Sequence, residues 1–87
     1  MAGYHLTEIP VGEYGELTKI IEELQELIDA DEQGAKLMVL QELSDLIGAI
    51  DGYLLKHFNG QFSIADLEKM ASITKRAFES GARKAKE

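Results

Sequence analysis

Glu22-Glu23-Leu24-Gln25-Glu26 and Glu42-Leu43-Ser44-Asp45 are the stretches of this chain whose residue types and spacing suit chemistry. On a helix turning about 100° per residue, Glu23 and Glu26 project roughly 60° apart, with Lys19 between them and Glu22 roughly 40° beyond Glu26. Glu42 and Asp45 are likewise roughly 60° apart, flanked or interspersed by Met38, Ala49 and Tyr53, so this pair borders an apolar face. Half-buried carboxylates are costly without partners, and several held together also repel one another. A bound cation relieves both problems. Every candidate ligand is a carboxylate oxygen; there is no cysteine and no Glu-x-x-His spacing. That donor set suits hard Mg²⁺, with Mn²⁺ as an alternative, better than zinc or a di-iron centre. His57 lies about three turns beyond Asp45 and does not join the set.

The elements that must position these acids are helical. Between Glu13 and Ala30, Leu17, Ile20, Ile21, Leu24, Leu27 and Ile28 recur at spacings of three and four and predict an amphipathic helix. Asp29 to Gly34 interrupts the pattern and predicts a short connection. A second helix is predicted from Ala35 to His57, with apolar residues from Leu37 to Leu54 spread over an arc too wide for one neighbour. Gly60 follows as its stop signal. Ser63-Ile64-Ala65-Asp66 resembles a capping box and starts a third helix near Ile64, which Gly81 ends. Residues 1–12, punctuated by Pro10 and Gly12, read as an irregular leader in which Tyr4, Leu6 and Ile9 cover a core edge. Residues 82–87 read as a charged tail and 13–81 as the single domain. The fold class is all-α: antiparallel helices forming a bundle completed by oligomerisation.

An 87-residue chain buries a small fraction of its surface. Without cysteine, a bound ion or further subunits are the available staples, and a dimer or tetramer is expected. The formal charge of −7 disfavours nucleic acid or an anionic membrane as partner. Twelve of the 16 acids lie within residues 1–51 and six of the nine bases after residue 68, so one end suits cations and the other anions. The sequence opens without a signal-peptide hydrophobic core and no apolar run approaches membrane-spanning length, which together suggest a cytoplasmic protein.

Lys19-Ile20-Ile21-Glu22-Glu23-Leu24-Gln25-Glu26, followed after 15 residues by Glu42-Leu43-Ser44-Asp45, resembles the EExxE(n)ExxD signature of the MazG-like all-α nucleoside triphosphate pyrophosphohydrolases. The similarity continues through Leu46 to His57 and into the basic ending of the third helix, Lys75-Arg76-Ala77-Phe78-Glu79-Ser80-Gly81. It implies Mg²⁺-dependent cleavage of a nucleoside triphosphate between the α and β phosphates, giving a monophosphate and pyrophosphate. It also implies Glu23, Glu26, Glu42 and Asp45 as metal ligands, with Glu22 and Glu23 as the catalytic pair and Glu22 either a further ligand or a group that orients water. Many members carry a longer N-terminal helix where this chain has its leader, and Thr74 occupies the neighbourhood of an asparagine that some members place in the third helix.

Residues around the acids admit two roles each. Lys69, Lys75 and Arg76 suit phosphates that a metal leaves uncovered, or a solubilising surface. Lys19 suits phosphate binding and an i,i+4 pair with Glu23 together. Tyr53 suits stacking on a base or a core position with a wet hydroxyl. Gly48, Ala49 and Gly52 point to close approach of a ligand or a helix, since glycine weakens a helix interior. The non-enzymatic alternative is a helical interaction module that uses the acids for stability or partner binding.

Overall fold

The computed structural model of the chain describes residues 7–81. It comprises α1 (Leu17–Glu32), α2 (Lys36–Phe58) and α3 (Ile64–Ser80), with no strand among the described residues. None of these helices is long and apolar enough to cross a membrane. Tyr4, Leu6 and the 82–87 tail lie outside the described residues.

α1 begins at Leu17 and not at Glu13. Gly15 takes a positive φ of 93° and closes a turn in which the Glu16 N–H donates to the Glu13 carbonyl at 3.0 Å. Glu16 is extended as the N-cap, and the Thr18 hydroxyl occupies the Glu13 N–H at 3.0 Å, so the helical ladder starts afterwards. The predicted break at Asp29 to Gly34 narrows to residues 33–35. Asp29 stays helical and buried, and Gln33 Nε2 donates to its carboxylate at 3.4 Å. α2 runs through Gly48 and Gly52 without interruption. Asn59, at φ 53°, caps it in the left-handed region one residue ahead of the anticipated glycine. α3 has the anticipated ends. Ser63 Oγ accepts the Asp66 N–H at 3.2 Å while Asp66 Oδ2 accepts the Ser63 N–H at 2.8 Å, and left-handed Gly81 donates to the Ala77 and Phe78 carbonyls.

The short connection folds α1 back on α2 as an antiparallel hairpin, which carries most of the tertiary packing. α3 touches α2 sparsely and buries no residue. Edge-on Phe58 and Phe62 rings, with centroids 5.7 Å apart, join the two across the turn. The radius of gyration of 14.8 Å exceeds the roughly 12 Å of a compact chain this long.

The hairpin interior is acidic. Its buried apolar residues are Ala30, Ala49 and Leu54, whereas Glu22, Glu23, Asp29 and Glu42 are also buried, Glu42 completely at 0% exposure. Leu17, Ile21, Leu24 and Ile28, in steps of four, three and four along α1, lie exposed together with Leu40, Leu43 and Ile47 of α2. Amphipathic periodicity located both faces of each helix; in the single subunit it is the charged face that turns inward.

Candidate metal centre

The helical hairpin brings the two acid pairs together. On each helix an i,i+3 spacing puts both carboxylates on one face. One oxygen from each of Glu23, Glu26, Glu42 and Asp45 lies within 4.8 Å of the others. Glu23 and Glu42 are buried, and Glu26 and Asp45 half-buried. Gln41 Nε2 donates to Asp45 Oδ1 at 3.0 Å and steadies that carboxylate.

Glu23 carries an acceptor that the described residues around it leave unsatisfied. Its side chain is 8% exposed, Oε2 lies 3.2 Å from Lys19 Nζ, and Oε1 is buried with no hydrogen-bond partner among the described residues. A buried acceptor left in this state is expensive unless something electropositive completes it. All-oxygen donors converging at this separation fit a hard divalent cation.

Glu22 lies beside the cluster. Its Oε1 accepts the Gly12 N–H at 2.9 Å and a Lys19 hydrogen bond at 3.0 Å. Burial pushes its pKa up, but Gly12 and Lys19 outweigh burial and hold it below the usual carboxylate value. A carboxylate so committed positions its neighbours and makes a poor proton acceptor. Lys19, bridging Glu22 and Glu23, has its own pKa raised, chiefly by the hydrogen bond to Glu22.

Glu26 is displaced in the opposite direction, to about 8, by burial first, then by the negative charge of Glu23 and a hydrogen bond with Glu42. Without metal the folded protein therefore holds a proton that the unfolded chain, with an ordinary carboxylate, releases near pH 4.5. The folded state binds more protons across that window, so metal-free stability falls as pH rises from about 4.5 to about 8 and levels off above. The depressed carboxylates, Glu16 and Glu22, act below the window, where protonation removes their contribution. Millimolar Mg²⁺ displaces the proton and flattens or reverses the slope. Thermal melts between pH 5 and 8.5, with chelator and with Mg²⁺, check this; a chelated sample whose melting temperature climbs through the window contradicts it.

The remaining predicted residues are more dispersed. Lys69, Lys75 and Arg76 are exposed on α3, where Lys75 Nζ lies 4.0 Å from Glu79 Oε2. Tyr53 stacks on His57 with centroids 4.4 Å apart, and His57 Nε2 lies 3.2 Å from Glu16 Oε1 while Lys56 pairs with Glu16 Oε2. An open cavity of about 430 Å³ adjoins the acids instead, walled by Tyr14, Lys19, Glu23, Asp45, Gly48 and Asp51; none of Tyr53, Lys69, Lys75 and Arg76 is in its wall.

Two contributors from the segment ahead of α1 escaped the sequence pattern. A Cβ on Gly12 would stand 2.2 Å from the Thr18 carbonyl oxygen, so only glycine brings this N–H to Glu22. Tyr14 lays its ring edge where a Cβ on Gly52 would be, at 2.5 Å. The signal for the second was the glycine inside α2, which announced a close neighbour without identifying it. Comparison of the chain with protein-family profiles, with curated proteins and with solved structures finds no match in any of the three.

Proposed function

We propose that this protein is a Mg²⁺-dependent nucleotide pyrophosphohydrolase, cleaving a nucleoside triphosphate between its α and β phosphates and working as a homodimer or homotetramer. The convergence of four carboxylates within 4.8 Å, one of them fully buried, carries the reading. Glu23, Glu26, Glu42 and Asp45 would hold the metal, and Mn²⁺ would serve in the same oxygen set. A cation held there would supply charge neutralisation at the phosphates and a more acidic water for in-line attack. The protein's own contribution is placement. Lys19 pairs with Glu23 and lines the cavity, where its charge would complement a phosphate oxygen. Glu22 anchors both Lys19 and the leader. Positioning and charge neutralisation account for most of phosphoryl-transfer catalysis.

The exposed apolar stripe of α1 supports the oligomer. A contiguous apolar face of this kind marks an interaction surface, and its four-three-four steps match a helix seam.

The test is a panel of ribo- and deoxynucleoside triphosphates assayed for pyrophosphate and orthophosphate separately. Pyrophosphate is expected from at least one substrate, only with Mg²⁺ or Mn²⁺, and Glu23→Gln is expected to lose it by about two orders of magnitude or more. Orthophosphate as sole product, or activity untouched in Glu23→Gln, overturns the proposal. Mg²⁺ stabilisation without cleavage of any nucleotide would favour the interaction module.

A further inference from the structure

We propose that Tyr14, Gly48 and Asp51 form the seat for the nucleoside part of the substrate, with Tyr14 as the surface on which its ring stacks. This rests on the pyrophosphohydrolase reading and adds which side of the acid group the nucleoside occupies.

The cavity runs from two of the four candidate ligands, Glu23 and Asp45, past Gly48 to Tyr14 and Asp51. A metal-bound phosphate chain at the acid end therefore points its nucleoside along this wall. At about 430 Å³ the space falls within the size range of small-molecule pockets, roughly 300–1,000 Å³. Gly48 faces it with nothing within 4 Å of where a Cβ would stand, so helix α2 is thin at the place a flat ring needs room. Tyr14 is 62% exposed, yet its position is determined: Gly52 beneath it admits the ring edge, and the flanking turn is tied down by the Glu13 N–H to Thr18, Gly12 to Glu22, and Glu16 to Lys56 and His57. An aromatic held in place beside a phosphate-binding end is a stacking platform for any base. Asp51 contributes an acceptor at the same wall, which selects ligands bearing an N–H or O–H donor, on the base or on the sugar. Glu23, whose buried Oε1 has no hydrogen-bond partner among the described residues, belongs to this wall and ties it to the acid end.

The experiment compares the wild type with Tyr14→Ala, Tyr14→Phe and Gly48→Leu. It measures KM and kcat over the triphosphate panel and, by NMR titration in Mg²⁺, affinity for the four ribonucleoside monophosphates and their deoxy counterparts. Tyr14→Ala is expected to raise KM and weaken monophosphate binding by about tenfold to a hundredfold with kcat little changed, as loss of a stacking partner does. Tyr14→Phe should keep wild-type values, Gly48→Leu should lose binding by filling the space, and all three should keep the Mg²⁺-induced rise in melting temperature. Asp51→Ala, which removes the acceptor, should weaken monophosphate binding: a ribose-specific loss places the ligand's donor on the sugar, an equal loss with deoxy ligands places it on the base, and no loss removes Asp51 from the seat. Pyrophosphate release with KM unchanged in both Tyr14→Ala and Gly48→Leu overturns the seat and leaves the activity standing. Monophosphate binding that depends on Tyr14, without pyrophosphate release, supports the seat and overturns the activity. A wild type that binds no monophosphate overturns the seat.

Discussion

Glu42→Gln is expected to abolish metal-dependent pyrophosphate release and, in the same protein, to raise the melting temperature of the metal-free form. Glu42 is completely buried, shares a hydrogen bond with Glu26, and belongs to the group of four converging carboxylates. Glutamine preserves its shape while removing one ligand charge and adding an amide donor that can satisfy a neighbouring carboxylate. With one of four charged oxygens gone, several kcal/mol of metal-assisted stabilisation are lost, so kcat falls by about a thousandfold or more. Like-charge repulsion falls too, and the metal-free fold gains. The Mg²⁺-induced shift in melting temperature should vanish. Pyrophosphate assays and melts with chelator and with Mg²⁺ decide it. A Glu42→Gln protein that unfolds more easily without metal and also loses activity would assign Glu42 a purely architectural role, and retained activity would remove it from the site.

The second large effect concerns assembly. Wild-type protein should behave as a dimer or tetramer, with a melting temperature that rises with concentration, and Leu24→Glu should leave a monomer at micromolar concentrations. Leu24 is 44% exposed in the middle of the Leu17, Ile21, Leu24, Ile28 stripe. Burying such a side chain contributes about 1.5–3 kcal/mol. In a two-fold interface each substitution counts on both copies, and a glutamate adds the cost of burying charge, so the dissociation constant should rise by about 10²–10⁴-fold or more. Light scattering over a concentration series is the measurement. A wild type that stays monomeric at hundreds of micromolar, or a Leu24→Glu protein that assembles as before, removes the α1 stripe from the interface.

These two experiments divide along the line between what the sequence displayed and what it concealed. Local rules carried the helix ends: the Ser63–Asp66 box and left-handed Gly81 depend on residues within a turn of each other, and they stand where the pattern placed them. The acid group was legible because helical spacing and a short connection together determine which carboxylates meet. The start of α1 was not, because Gly15 breaks the ladder with a backbone conformation that apolar periodicity does not register. Equally hidden was how much of the apolar face of both helices that inward turn of the acids leaves exposed. Periodicity separates an apolar face from a charged one, but which of them a lone hairpin encloses depends on the surfaces available to cover the other. Tyr14 on Gly52 and Gly12 on Glu22 are contacts between a segment without a period and distant helical positions, so only the fold reveals them.

The short link between α1 and α2, residues 33–35, has a consequence for the order in which the molecule comes together. Contacts close in sequence form first, because they sacrifice the least chain entropy. Glu23 and Glu26 therefore meet Glu42 and Asp45 inside one chain, before any second copy can reach the exposed leucines and isoleucines. The charged centre is assembled early and at its least sheltered, so the repulsion among its carboxylates falls on the single chain, where a divalent cation would relieve it.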